Sequence, residues 1–230
     1  MKDFSSLEKK IKIEFKNQDL IKQAFVHRSY LNENPNFGLN HNERLEFLGD
    51  AILELIITEY LYQNFPNPEG ELTNWRASLV NSQMLAKLAG KLDLENYLYL
   101  SKGEAKDKNS KARNYILANA FEALTGVIYL DQGYEVAKKF IIEFLVPELP
   151  YILSHELYLD PKSKFQEIAQ EKIGVTPTYK VLEENGPDHA KKFKVGVYLG
   201  DDLIAEGLGT SKQEAQVNAA SEALKNKGWE

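Results

Sequence analysis

The chain contains no cysteine. This excludes a disulfide framework, a thiol nucleophile and any zinc or iron–sulfur centre built on thiolates. It also lacks a long hydrophobic run. The opening stretch MKDFSSLEKKIKIEF has no apolar segment of the length a secretory signal needs, and no later run approaches a membrane span. A soluble cytoplasmic protein with no membrane partner is expected. The four histidines, His27, His41, His155 and His189, are scattered without metal-ligand spacing, and no Ser/His/Asp arrangement for nucleophilic catalysis occurs. His27 and His41 read as structural hydrogen-bonders. Basic charge is not in excess either. Lys+Arg number 28 against 34 Asp+Glu, a net charge of −6, which by itself weighs against a nucleic-acid partner. What is present is 43% hydrophobic and 11% aromatic residues in 230, enough to bury the core of one large domain or two small ones.

Apolar periodicity divides the chain. From Leu7 to about Pro150 it is helical. Glu43 to Tyr62 carries Leu45, Leu48, Ile52, Leu55, Ile56 and Leu61 in a broad stripe, and further helices fit Leu20–Val26, Leu72–Ala89, Ala112–Leu130 and Val136–Phe144. Thr73 marks a start, and Gly90 and Gly133 mark stops. After Asp160 the pattern changes. A helix over Ser163–Lys172 stops near Gly174, three strands fit Tyr179–Glu183, Phe193–Leu199 and Leu203–Glu206, and Ser211 caps a last helix with Ala215, Ala219, Ala220, Ala223 and Leu224 on one face. The expected organisation is an all-α domain over residues 1–150, a linker over 151–160, and a small α+β domain of order α-β-β-β-α over 161–230.

Glu43, Glu46 and Asp50 stand at i, i+3 and i+7 and share one helical face. Stacked carboxylates repel, and either full solvation or a divalent cation relieves them. Oxygen donors without histidine or cysteine suit Mg²⁺ or Mn²⁺ rather than zinc. These acids alternate with Leu45, Phe47 and Leu48, so their face adjoins a buried one. A second apolar helix, Tyr115–Ala123, carries Asn119 and Glu122 at i, i+3. A hydrogen-bonded core pair and a metal site explain that pair equally well.

The Asn42–Ala51 run, NERLEFLGDA, resembles the signature of ribonuclease III, the double-strand-specific endoribonuclease. The resemblance continues through His27-Arg28-Ser29-Tyr30, Pro68-Glu69-Gly70-Glu71-Leu72, Arg76-Ala77-Ser78-Leu79-Val80, Phe121-Glu122-Ala123-Leu124 and Tyr129-Leu130-Asp131. It ends in a segment similar to a double-stranded-RNA-binding domain. The resemblance implies an all-α nuclease and dimerisation domain followed by that module. It implies hydrolysis of duplex RNA in the processing of ribosomal and messenger precursors, leaving 5′-phosphates and short 3′ overhangs. The cofactor implied is Mg²⁺, with Mn²⁺ as a substitute, and no small-molecule cofactor. Glu46, Asp50 and Glu122 match the metal-ligating catalytic positions, and Asn119 falls at a fourth. Glu43 and Glu69 match further acids of the catalytic valley. Phe47 matches an aromatic that packs into the partner subunit of a homodimer. In the C-terminal module Ser163, Gln166 and Gln170 suit one minor groove of the duplex and the Gly186-Pro187-Asp188-His189 loop the next. Lys212 suits phosphates, with Lys191, Lys192 and Lys194 as further cations.

Two departures from the family pattern stand out. The second helix in the family reads Ala-Asp-Ala-Phe-Glu-Ala, but residue 119 is Asn. An amide offers one neutral oxygen and a donor that cannot ligate a cation. Duplex binding is expected to persist and cleavage to slow. An introduced Asp→Asn change, a naturally cleavage-deficient form and a tolerated asparagine all fit. The last helix also opens with Lys212 followed by Gln213 and Gln216 instead of a lysine cluster, so a shallower salt dependence is expected. A non-catalytic duplex-binding homodimer is the alternative, and a helical protein adaptor fused to an α/β module explains only the periodicity. Residues 1–150 hold 18 basic and 21 acidic side chains and residues 151–230 hold 10 and 13, so each part carries −3. Charge at a site, not over the chain, must then carry any affinity for RNA.

Overall fold

The two helices that bear the acidic motifs are the longest in the chain, and they pack against each other. In the computed structural model, which describes residues 2–107, 110–187 and 191–229, the first unit runs to Tyr158 and the second begins at Leu159. The first unit consists of α1 (Ser5–Ile11), α2 (Gln18–Ala24), α3 (Arg28–Glu33), α4 (Glu43–Asn64), α5 (Glu69–Val80), α6 (Ser82–Lys91), α7 (Lys102–Lys106), α8 (Lys111–Gln132), α9 (Tyr134–Leu145) and α10 (Leu149–Ser154), with 3-10 turns at Leu94–Tyr97 and Val146–Glu148.

Helix α8 is buried nearly all round from Ile116 to Ile128, so it forms the axis of the unit. Helix α4 lays Leu45, Gly49, Ile52, Leu53, Ile56, Ile57 and Leu61 against it. Asn42 fixes the entry to α4. Its buried amide donates to the Ala24 carbonyl at 3.0 Å, and its backbone N–H donates to Val26 at 2.9 Å. Gly133, with φ +89°, ends α8 and lets the chain reverse into α9.

Several boundaries differ from the sequence reading for local reasons. The single helix expected over Leu72–Ala89 is two. Asn81 is extended, and its side chain accepts the Met84 N–H at 2.9 Å, capping α6. The preceding helix starts at Glu69 after Pro68, four residues before Thr73. Gly90 lies inside α6, and the left-handed residue beyond the helix is Asp93. Leu55 does not join the buried stripe, being 54% exposed. Residues 149–154, at the edge of the expected linker, are helical, and Leu149 and Ile152 are buried in the core of the first unit.

The second unit follows the order α-β-β-β-α. Helix α11 (Pro161–Ile173) is capped by Asp160, whose carboxylate accepts the Ser163 N–H, and it ends at Gly174 with φ +69°. Strands β1 (Thr178–Asn185), β2 (Lys192–Leu199) and β3 (Asp202–Gly209) form an antiparallel sheet in that order. Helix α12 (Lys212–Lys227) is held at its start by Ser211, whose hydroxyl accepts the Glu214 N–H at 3.1 Å, and by the Glu214 carboxylate, which accepts the Thr210 N–H at 2.8 Å. Its alanine face lies directly on β3. A Cβ on Gly207 would sit 2.2 Å from the Ala219 nitrogen, so only glycine fits there.

Candidate active site and RNA-binding face

The acids of α4 and α8 lie near the place where the two backbones touch. A Cβ on Gly49 would lie 1.8 Å from the Glu122 carbonyl oxygen, and one on Gly126 would lie 2.4 Å from the Leu45 carbonyl oxygen. With no side chain between the helices, Glu46 and Asp50 on α4 come within electrostatic reach of Glu122 on α8. Neither glycine is marked by composition or periodicity, so the close approach was not legible beforehand.

The group is electrostatically uncompensated. Burial, then Asp50 and Glu46, push the Glu122 carboxyl up to about 8. Burial, Glu43 and Asp50 also raise Glu46, while a hydrogen bond donated by the Asn119 amide works in the other direction. Among the described residues none of the three carboxylates is paired with a Lys or Arg. The donors are all hard oxygens, the chemistry that suits a divalent cation of the Mg²⁺ type. Among the described residues, however, no three His, Cys, Asp or Glu side chains converge closely enough to form a ready-made metal cage. The donor set fits, and the arrangement is open.

Glu43 stands at the edge of this group. Arg28 Nη1 and His41 Nδ1 each lie 3.6 Å from its carboxylate, two neighbours the sequence reading did not assign to it. His27 is a structural residue, as expected: its Nδ1 lies 2.8 Å from Ser29 Oγ at the start of α3. Glu69 is elsewhere. It accepts the Thr73 hydroxyl at 3.0 Å and lines a cavity of about 490 Å³ with Tyr62, Asn67 and Arg76. It is not among the charges that act on Glu46 or Glu122. Phe47 projects outward, 80% exposed, and α4 presents Leu55 and Tyr62, 54% and 79% exposed, on the same side.

In the second unit Ser163, Gln166 and Gln170 are exposed on one face of α11, opposite buried Phe165 and Ala169. Two of them are already engaged. Ser163 Oγ donates to Asp160, and the Gln170 amide donates to Thr176. Asp188 and His189 lie outside the described residues. Lys191 pairs with Glu184 at 2.7 Å, Lys192 is exposed, and Lys212 places Nζ 5.6 Å from the centre of the Phe193 ring. Lys194 is committed to the sheet, between Glu206 at 2.7 Å and Glu183 at 3.7 Å. Gln216 accepts from Lys162 at 2.7 Å.

Comparison with known proteins agrees with this division. The family described as Ribonuclease-III-like matches residues 17–149, and the double-stranded RNA binding motif matches residues 161–227. Ribonuclease 3 of a Nitratiruptor species is 44% identical over 226 residues, covering 98% of this chain and 97% of that protein. Ribonuclease 3 of Enterococcus faecalis is 43% identical over 224 residues, covering 96% of each. A solved nuclease domain of ribonuclease III from Campylobacter jejuni superposes with a TM-score of 0.58 at 36% identity, covering 64% of this chain and 99% of that one. The description of that structure concerns flexibility in the region involved in its dimer formation.

Proposed function

The chain belongs to the ribonuclease III family, and on that premise we propose that it is a homodimeric endoribonuclease that hydrolyses double-stranded RNA with Mg²⁺ held by Glu46, Asp50 and Glu122. The observation that supports the reading is the mutual influence of these carboxylates beside the Gly49–Glu122 backbone contact, with no Lys or Arg among the described residues paired with them. Mn²⁺ is a substitute with the same donor preference. The chemistry a divalent cation supplies there is Lewis-acid: acidifying water and offsetting charge at the scissile phosphate. The chain's own residues prepare for it. Glu122 holds a proton that it gives up when positive charge arrives, and the Asn119 amide orients Glu46 while leaving its own carbonyl oxygen as a neutral donor. Glu43, with Arg28 and His41 beside it, handles the RNA backbone at the edge of the site. Glu69 acts in the valley completed by a second copy.

Phe47, Leu55 and Tyr62 form the apolar strip of α4 on which the second copy packs. The C-terminal unit reads the A-form duplex through Ser163, Gln166, Gln170 and His189, with Lys191, Lys192 and Lys212 at phosphates. Products carry 5′-phosphates and short 3′ overhangs. The place of work proposed is the cytoplasm; among the described residues no helix is long and apolar enough to cross a membrane. Asn119 favours one alternative, a duplex-binding homodimer that does not cut. Incubating the chain with duplex and single-stranded RNA, with Mg²⁺ or EDTA, separates the two. Metal-dependent cutting of the duplex alone, lost in Glu122→Gln with binding retained, is expected. An unimpaired Glu122→Gln enzyme would remove the assignment.

A further inference from the structure

Glu184 is not itself assigned to RNA, yet it lies beside cations that are. It is the penultimate residue of β1 and faces Phe193 of β2 across the antiparallel pair. Lys191, just before β2, places Nζ 2.7 Å from its Oε1. Lys212, the first residue of α12, extends over the same Phe193 ring. Both lysines act on Glu184 and hold its carboxyl below the usual glutamate range. Two strands and a helix start therefore assemble a plus–minus–plus group. The Lys194 cluster differs from it. Lys194 lies between acids of both neighbouring strands and serves the sheet itself.

We propose that Glu184 is an affinity-limiting counter-charge built into the RNA-binding face, paired with Lys191 and offsetting the charge of nearby Lys212 until a backbone phosphate displaces it. The proposal rests on the assignment of the C-terminal unit to duplex RNA. Its physical basis is competition. A carboxylate and a phosphate oxygen compete for the same ammonium donors, and a carboxylate already paired with Lys191 repels a phosphate brought beside it. All the partners are partly open to solvent, and such ion pairs are weak, so Glu184 tunes binding without blocking it. The result is a looser grip on the duplex and quicker release of cut product.

The test is duplex-RNA affinity of the full chain in EDTA, titrated over a range of KCl, for the parent and Glu184→Gln. The neutral isostere is expected to bind about two- to fivefold more tightly at moderate salt. Its plot of log affinity against log salt should steepen by about one unit, for one more phosphate engaged. Glu222→Gln removes the same charge from an exposed pair with Lys225 and should leave both quantities unchanged. In a Lys191→Gln, Lys212→Gln background the gain from Glu184→Gln should vanish. Unchanged affinity and slope in Glu184→Gln, or an equal gain in Glu222→Gln, overturns the proposal. If the parent chain itself fails to retain duplex at any salt, the RNA-binding assignment falls, and the proposal falls with it.

Discussion

Gly49 and Glu122 are in backbone contact, with no room for a methyl group between the α-carbon of one and the carbonyl of the other. The proposed metal centre therefore depends on a residue that has no side chain. Gly49→Ala drives a Cβ into a main-chain oxygen at 1.8 Å, a contact that side-chain rotation cannot relieve. Helices α4 and α8 must separate, at a cost of about 3 kcal/mol or more. Thermal unfolding of the variant should show a fall in Tm of several degrees or more, along with weakened metal binding. A variant as stable as the parent would contradict the packing.

The raised Glu122 carboxyl sets a pH dependence in the metal-free chain. Its folded value is about 8 against an ordinary 4.5. Between those values the folded chain keeps a proton that the unfolded chain has released, so stability falls as pH rises. The contribution is complete below the ordinary value and lost above about 8. Solvent screening limits its size to about 1–3 kcal/mol. Unfolding in EDTA should show lower stability at alkaline than at mildly acidic pH. Glu122→Gln should flatten that slope, and addition of Mg²⁺ at neutral pH should release protons, measurable by calorimetry in buffers of different ionisation enthalpy.

Asn119→Asp restores a carboxylate to a group already short of positive charge. The amide donation to Glu46 disappears, so the metal-free variant should be less stable at neutral pH than the parent. Cation affinity should rise, and duplex cleavage in Mg²⁺ should quicken by about 10- to 100-fold. Single-turnover rates of the two proteins decide the matter, and equal rates would show that the asparagine is accommodated without loss.

Phe47→Ala separates assembly from folding. The ring is 80% exposed, so its removal should change the stability of an isolated protomer by no more than about 0.5 kcal/mol. Dimer dissociation should become easier by about 2 kcal/mol, roughly 30-fold in the dissociation constant. Sedimentation equilibrium measures this directly. An unchanged dimer would place the contact elsewhere on the surface.

Much of the molecule was legible in its residues. Ser211 and the alanines of α12 marked a capped helix with a small-residue face, and that face is the one the structure lays on β3. The acids of α4 and the Asn119–Glu122 pair fell on helices as their spacing demanded, since the 3.6-residue period is a local property of the chain. The family signature likewise resides in consecutive residues.

Other features depended on distant partners. Leu55 and the buried leucines of α4 look alike in sequence, and only the placement of α8 leaves Leu55 outside. Nothing local distinguishes Lys191 from Lys192, but the β1–β2 register sets Glu184 beside one of them. Residue spacing alone places Glu43, Glu46 and Asp50 on one helical face, and the change in periodicity divides the chain. Only the packing of α4 on α8 buries Glu122 within electrostatic reach of Asp50 and Glu46, raising its carboxyl to about 8, because burial and Coulomb repulsion depend on distances between segments far apart in the chain.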